Sequence, residues 1–194
     1  MNNTRTNKSN KTNKSNKTNK SNKSNKTQKN NKNHESIQHH HLLVRLETKH
    51  CPAKTDKQEA VELIERIIRD IKMHLLGAPR VFYVTLPHYN EGLTALAPIE
   101  TSHIAFHFWK TPERKILKNK ESNCLLEFDL YTCGNLNPQQ ISRILHHLSA
   151  YKPTHANISL LNRKYSLTLE RQLLWDAAVN KMSWAQWVDN IKRQ

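Results

Sequence analysis

Strand-like and helix-like hydrophobic patterns succeed one another after residue 40. "HLLVRLE" from His41 to Glu47 has strand character. Beyond Cys51 and Pro52 the period changes. Ala60, Leu63, Ile64, Ile67, Ile68 and Ile71 recur at spacings of three and four, which predicts an amphipathic helix. Thr55 or Asp56 can cap that helix, Gly77 can end it, and Pro79 forbids its continuation. Strand character returns in "VFYVTL" (81–86), in "LTALA" (93–97), in 102–109 with Ile104, Phe106 and Phe108 on one face, and in "CLLEFDLYT" (124–132). A polar, lysine-rich insertion occupies 110–122. Pro138 after Asn137 opens a second helix bearing Ile141, Ile144, Leu145 and Leu148, and "HANISLL" (155–161) follows as a strand. Two short helices are expected to finish the chain. The last starts at Ser183 with Gln186 in capping-box register and carries Trp184, Trp187, Val188 and Ile191, a stripe that reads as a packing face.

The order is strand, helix, four strands, helix, strand, helical tail. Short links between successive strands favour antiparallel pairing, so the expected fold is α+β: a two-layer sandwich of a mainly antiparallel sheet with helices on one face. The expected organisation is a disordered tail (1–35), a domain (36–165) and a C-terminal helical extension (166–194).

Charge changes the picture only at the N-terminus. The chain carries a formal +15 over 194 residues, but Arg5 and a lysine at every third position from Lys8 to Lys32 supply ten of those charges. The remaining body is near +5, ordinary for a soluble domain. Residues 1–33 contain neither an acid nor a strongly apolar side chain beyond Met1, so they cannot offset their ordering entropy and read as disordered. The triplet period lacks the glycine of collagen, and the pattern reads as neither a secretory signal nor a transit peptide. Such a tail can bind polyanions weakly and in a salt-dependent way. Elsewhere, basic and aromatic residues do not interleave along one strand face, which speaks against a nucleic-acid module.

Cys51, Cys124 and Cys133 are odd in number and unrelated in spacing, which argues against a disulfide framework or a metal site. No run approaches a membrane span. The expectation is a cytoplasmic protein with reduced thiols and no metal.

"EGLTALAPIETSHIAFHFWKTPE" (91–113), "FDLYTCGNLNP" (128–138) and "HLLVRLE" together resemble the bacterial S-adenosylmethionine decarboxylase family over roughly residues 40–165. The resemblance rests on a glycine-hydrophobic-Ser/Thr turn, a Ser-His-x-x-x-His strand, a Pro-Glu segment and a Thr-Cys-Gly after a strand containing Asp. It implies an enzyme that makes its own cofactor. Ser102 attacks the carbonyl of Thr101, the chain splits between them, and Ser102 becomes a pyruvoyl group, the electron sink that no ordinary side chain provides. By the same resemblance His107 is the processing base, Thr94 assists processing, Cys133 donates the proton that completes turnover, and Glu113 binds the nucleoside ribose. Tyr89 is the nearest ring for stacking on a cationic sulfonium. His103 reads as a neighbour of the serine. The implied role is a lyase that decarboxylates S-adenosylmethionine for spermidine synthesis, working as a dimer of cleaved protomers.

Some features depart from the family pattern. Thr101 stands where many members have Glu, and the chain between Glu113 and Cys133 is longer than in compact members. Arg45 falls where a carboxylate is common and would repel a cationic substrate, which opens decarboxylation of arginine or ornithine as an alternative. A processing-deficient regulatory relative is another. Ser102 and His107 are five apart, so strict alternation puts them on opposite faces, and their meeting requires a bulge or an irregular strand start.

Overall fold

The computed structural model describes residues 37–86 and 90–193, so the tail and Tyr89 lie outside the described residues. Seven strands form one antiparallel sheet: β1 (His40–Thr48), β2 (Arg80–Leu86), β3 (Asn90–Ile99), β4 (Ser102–Trp109), β5 (Cys124–Thr132), β6 (Pro153–Asn162) and β7 (Thr168–Asp176), in the order β2-β3-β4-β5-β1-β6-β7. Alternation assigns the faces. Leu42, Val44 and Leu46 of β1, Ile104, Phe106 and Phe108 of β4, and Leu126, Phe128 and Leu130 of β5 are all buried. They form one core with Leu63, Ile64, Ile67 and Ile68 of α1 (Lys57–Asp70) and Ile141, Ile144 and Leu145 of α2 (Pro138–His147). The intervening residues, among them Arg45, His103, His107, Trp109 and Glu127, face away from the helices. The α+β reading holds: a large antiparallel sheet with helices, not a closed barrel.

Local chemistry explains where elements begin and end. Asn137 caps α2 reciprocally with Gln140, and Ser183 does the same with Gln186 for α3 (Trp184–Ile191). The end of α1 differs from expectation. It closes at Asp70, seven residues before Gly77, because Lys72 turns left-handed at φ 60°. The Lys72 N–H then reaches Arg69 O and the Met73 N–H reaches Ile68 O, both at 3.0 Å, satisfying carbonyls that the helix leaves open.

Two further expectations are corrected. Residues 168–176 form β7, not a helix. Their helix-forming Glu170, Arg171 and Gln172 yield to the backbone donors that β6 offers, and only Trp175 of this edge strand is buried. The tryptophan stripe does pack inside the chain: Trp175 and Trp184 lie 5.3 Å apart between ring centroids, and Trp184 Nε1 donates to Ser149 Oγ at 2.9 Å. The thiols are not all reduced either, since Cys51 and Cys124 form a disulfide with Cα atoms 5.6 Å apart. Register makes this pair. Thr48 lies opposite Cys124 across β1 and β5, and the turn after Thr48 returns Cys51 to the same spot, a proximity hidden in a separation of 73 residues.

No helix among the described residues is long and apolar enough to cross a membrane.

Gly92 marks the tightest contact of the β3–β4 pair. A Cβ there would lie 1.7 Å from the Phe108 carbonyl oxygen, which is backbone and cannot swing aside. Gly92→Ala is therefore expected to cost at least the ~1–3 kcal/mol typical of overpacking and to lower the thermal midpoint by several degrees. A midpoint within a degree of wild type, measured by circular dichroism, would mean the strands can part freely there.

Candidate active site

β3 and β4 join through Glu100 and Thr101 alone, so Ile99 faces Ser102 across a two-residue tip. The tip is held from two sides. Glu100 N–H donates to His74 O at 3.0 Å, and Thr101 O accepts the Cys133 N–H at 2.9 Å. That second bond exists because β4 and β5 run in register from Ser102↔Thr132 to Trp109↔Leu125, which delivers the residue after Thr132 to the carbonyl before Ser102. Ser102 itself has φ 149°, a backbone region that residues with a Cβ rarely occupy and that costs of order 1–3 kcal/mol. Cys133 is a free, half-buried thiol, and Gly134 N–H closes the turn beyond it onto Thr132 Oγ1 at 2.9 Å. Ser102, Thr101 and Cys133 thus converge at one end of the β4–β5 pair.

A chain of polar side chains runs from this end across the open face. Ser102 Oγ lies 3.1 Å from His103 Nδ1, and His103 Nε2 lies 3.1 Å from Asp129 Oδ1. The other Asp129 oxygen meets His41 Nε2 at 2.5 Å. Arg163 closes the row, with Nη1 3.2 Å from His41 Nδ1 and its guanidinium 4.2 Å above the Tyr131 ring. The sequence assigned no role to Asp129, His41 or Arg163. Asp129 was visible as the polar member of "FDL" on a strand, but its partners come from β1 and from beyond β6.

The second expected pair sits at the other end of β4. Thr94 and His107 are register partners on β3 and β4, and Thr94 Oγ1 is hydrogen-bonded to His107 Nδ1. Glu127 flanks His107 on β5, and the Trp109 ring stands 3.9 Å from the imidazole centroid. These residues line a cavity of about 450 Å³ with Arg45, Asp129, Asn157 and Ser159. Glu113 borders a second cavity of about 470 Å³ that shares Arg45, Trp109 and Glu127 with the first. The Glu113 carboxylate is 2.5 Å from Lys115 Nζ.

Pairing along β4 is continuous, so no bulge brings Ser102 and His107 together. Five strand residues span about 16 Å, too far for contact within one chain. Two candidate half-sites result, with Ser102 and Cys133 at one end of β4 and His107 and Thr94 at the other. Arg45 is also not the free cation that its position implied. Its guanidinium donates to Glu127 Oε1 and to Ile116 O, each at 3.0 Å, so its charge is matched within the wall of the cavity.

Burial holds the His107 imidazole below its ordinary range, and the neighbouring Glu127 carboxylate pulls it part of the way back. His107 is thus biased to the neutral form that can accept a proton. A carboxylate favours imidazolium, so Glu127→Gln should lower the His107 pKa further. Proton NMR titration of the ring checks this, and an upward shift would contradict it.

Residues 40–164 match the family model of S-adenosylmethionine decarboxylase, while no curated protein matches the chain. The matched stretch begins with β1 and ends just past β6, and so contains both half-sites. It covers well over half of the sequence and agrees with the motifs read from the residues alone. The chain belongs to the S-adenosylmethionine decarboxylase family.

Proposed function

We propose that this protein is a self-processing, pyruvoyl-dependent decarboxylase of S-adenosylmethionine that supplies the aminopropyl donor for spermidine synthesis. The observation that carries this reading is the 2.9 Å hydrogen bond from the Cys133 N–H to the Thr101 carbonyl oxygen. That oxygen gains negative charge when the Ser102 hydroxyl adds to the Thr101 carbonyl carbon, and a fixed backbone donor there lowers the barrier. The unfavourable φ of Ser102 adds to the drive, because strain held at the 101–102 peptide is released once that bond is gone. Thr101, though β-branched, points its methyl toward Gly134, where no side chain opposes it.

A pyruvoyl group at position 102 supplies the electron sink that decarboxylation of an amino acid requires. The residues around position 102 suit it: a chain start there stays on β4, opposite Thr132 and beside Cys133. In this reading the Cys133 thiol, free and at the same tip, delivers a proton to the substrate α-carbon after carbon dioxide leaves. Glu113 and the Trp109 ring offer a carboxylate and an aromatic surface for the nucleoside, with Tyr89 a further candidate ring outside the described residues. Glu127, on the wall of the same cavity, offers a carboxylate for the cationic end of the substrate.

Elimination from the ester needs a base at the α-carbon of residue 102, and His107 of the same chain stands about 16 Å along the strand. A second copy resolves this. Two protomers packed by their open faces with β4 strands opposed would bring one tip to the partner's Thr94–His107 pair. The working unit is therefore a homodimer with two composite sites.

Mixing defective chains tests this arrangement. Ser102→Ala and His107→Ala should each stay intact when expressed alone. Co-expressed, they should form mixed dimers in which the His107→Ala chain splits, because its serine meets the histidine of the other variant. Absence of any split in the mixture would contradict the composite site. Cys133→Ala should still split but lose about 10²–10⁴-fold in decarboxylation rate, and a rate within about twofold of wild type would remove the thiol from turnover. Carbon dioxide release should be fastest with S-adenosylmethionine. Preference for arginine or ornithine would move the assignment to the alternative substrates.

A further inference from the structure

Two proton transfers are needed before the chain can split. The first frees the Ser102 hydroxyl to attack, and the second removes the α-proton of residue 102 from the resulting ester. The Thr94–His107 pair stands far from the Ser102 hydroxyl in its own chain, whereas His103 touches it.

We propose that His103, oriented by Asp129 and His41, is the base of the first step, the shift of the Thr101 acyl group from nitrogen to the Ser102 oxygen. This rests on the self-processing reading above and assigns to that site a residue that the sequence reading left as a mere neighbour. The geometry sets the tautomer. His103 Nε2 faces the Asp129 carboxylate at 3.1 Å, which favours the proton on Nε2 and leaves the Nδ1 lone pair toward Ser102 Oγ, also at 3.1 Å. The Asp129 contact is off hydrogen-bond alignment, and Asp129 Oδ1 is a buried oxygen without a hydrogen-bond partner. A small turn of the His103 ring satisfies that oxygen. The other oxygen is already occupied by His41, which keeps the carboxylate from rotating away.

The atoms balance without any added reactant. His103 Nδ1 takes the hydroxyl proton as Oγ bonds to the Thr101 carbonyl carbon. The charge on the former carbonyl oxygen is met by the Cys133 N–H. The tetrahedral adduct then collapses by breaking the C–N bond, and His103 returns its proton to the departing nitrogen. The amide has become an ester plus a free amine. His107 belongs to the next step, so the two histidines of the Ser-His-x-x-x-His strand divide the work. Asp129 and His41 are positioning residues, since they reach the serine only through His103.

Hydroxylamine distinguishes the steps, because it cuts esters and leaves ordinary amides intact. Full-length chains freshly made by cell-free synthesis can be followed on denaturing gels with and without it. Wild type should split unaided. His107→Ala should remain whole but be cut by hydroxylamine between residues 101 and 102. His103→Ala should remain whole and resist the reagent, with the acyl shift slowed by about 10²–10⁴-fold. A thiol ionises near pH 8.5 and needs no such base. Ser102→Cys combined with His103→Ala, or with Asp129→Asn, should therefore regain hydroxylamine sensitivity at alkaline pH. A purely structural role for His103 would leave the double variants as resistant as the single one, and that result would overturn the proposal. So would a His103→Ala chain that splits within about twofold of the wild-type rate or is cut by hydroxylamine. Wild type remaining whole and resistant would instead bring down the self-processing reading itself.

Discussion

The antiparallel register between β4 and β5 governs most of what this molecule can do. Ser102 opposite Thr132 means that the chain leaving β5 passes the tip of the β3–β4 hairpin, and the Cys133 N–H bonds to the Thr101 carbonyl. One backbone hydrogen bond fixes the tip, polarises the carbonyl beside the serine and brings the thiol to the same place. A slip of one residue would reverse every face of β4. Phe106 and Phe108 would leave the core, while His103 and His107 would enter it. Hydrophobic burial on one side of the sheet thus enforces the chemical alignment on the other.

The same alternation explains why the site falls into halves. A strand presents every second side chain to its open face, so His103, Ala105, His107 and Trp109 form a row rather than a cluster. In the proposed reading the row becomes a working site only when something faces it. Within the chain, β5 and β1 contribute Asp129 and His41 near the tip and Glu127 and Arg45 at the far end. What remains missing at each end is present at the other, which is the condition for a twofold-symmetric pair of open faces to complete both.

The fold was largely legible because its elements are strongly patterned. Isoleucines at spacings of three and four announced α1, and the caps at Asn137 and Ser183 gave the starts of α2 and α3. Two of the errors share one cause, which is that long-range pairing outweighs local preference. Residues 168–176 prefer a helix locally but meet the unpaired edge of β6. The end of α1 was set by a left-handed lysine that no residue scale favours. Cys51 and Cys124 looked unrelated until the β1–β5 register placed them side by side. Among the candidate site residues, Ser102 and Cys133 stand out in the sequence because their motifs sit in short, unusual stretches. Asp129 and His41 escaped notice because each is ordinary in its own strand and acquires meaning only across the sheet. The resemblance singles out His107 as a base, but its burial and its bond to Thr94 arise only across the sheet, and its distance from Ser102 in its own chain follows from strand geometry.

The proposed chemistry depends on whether the peptide between Thr101 and Ser102 is a bond built to break. Mass spectrometry of the purified, denatured protein answers this most directly. The account predicts two fragments, residues 1–101 and 102–194, with the second lighter by one ammonia than a simple hydrolysis product and blocked to sequencing from its first residue. A single intact chain after prolonged incubation at neutral pH, or a second fragment beginning with unmodified serine, would contradict it.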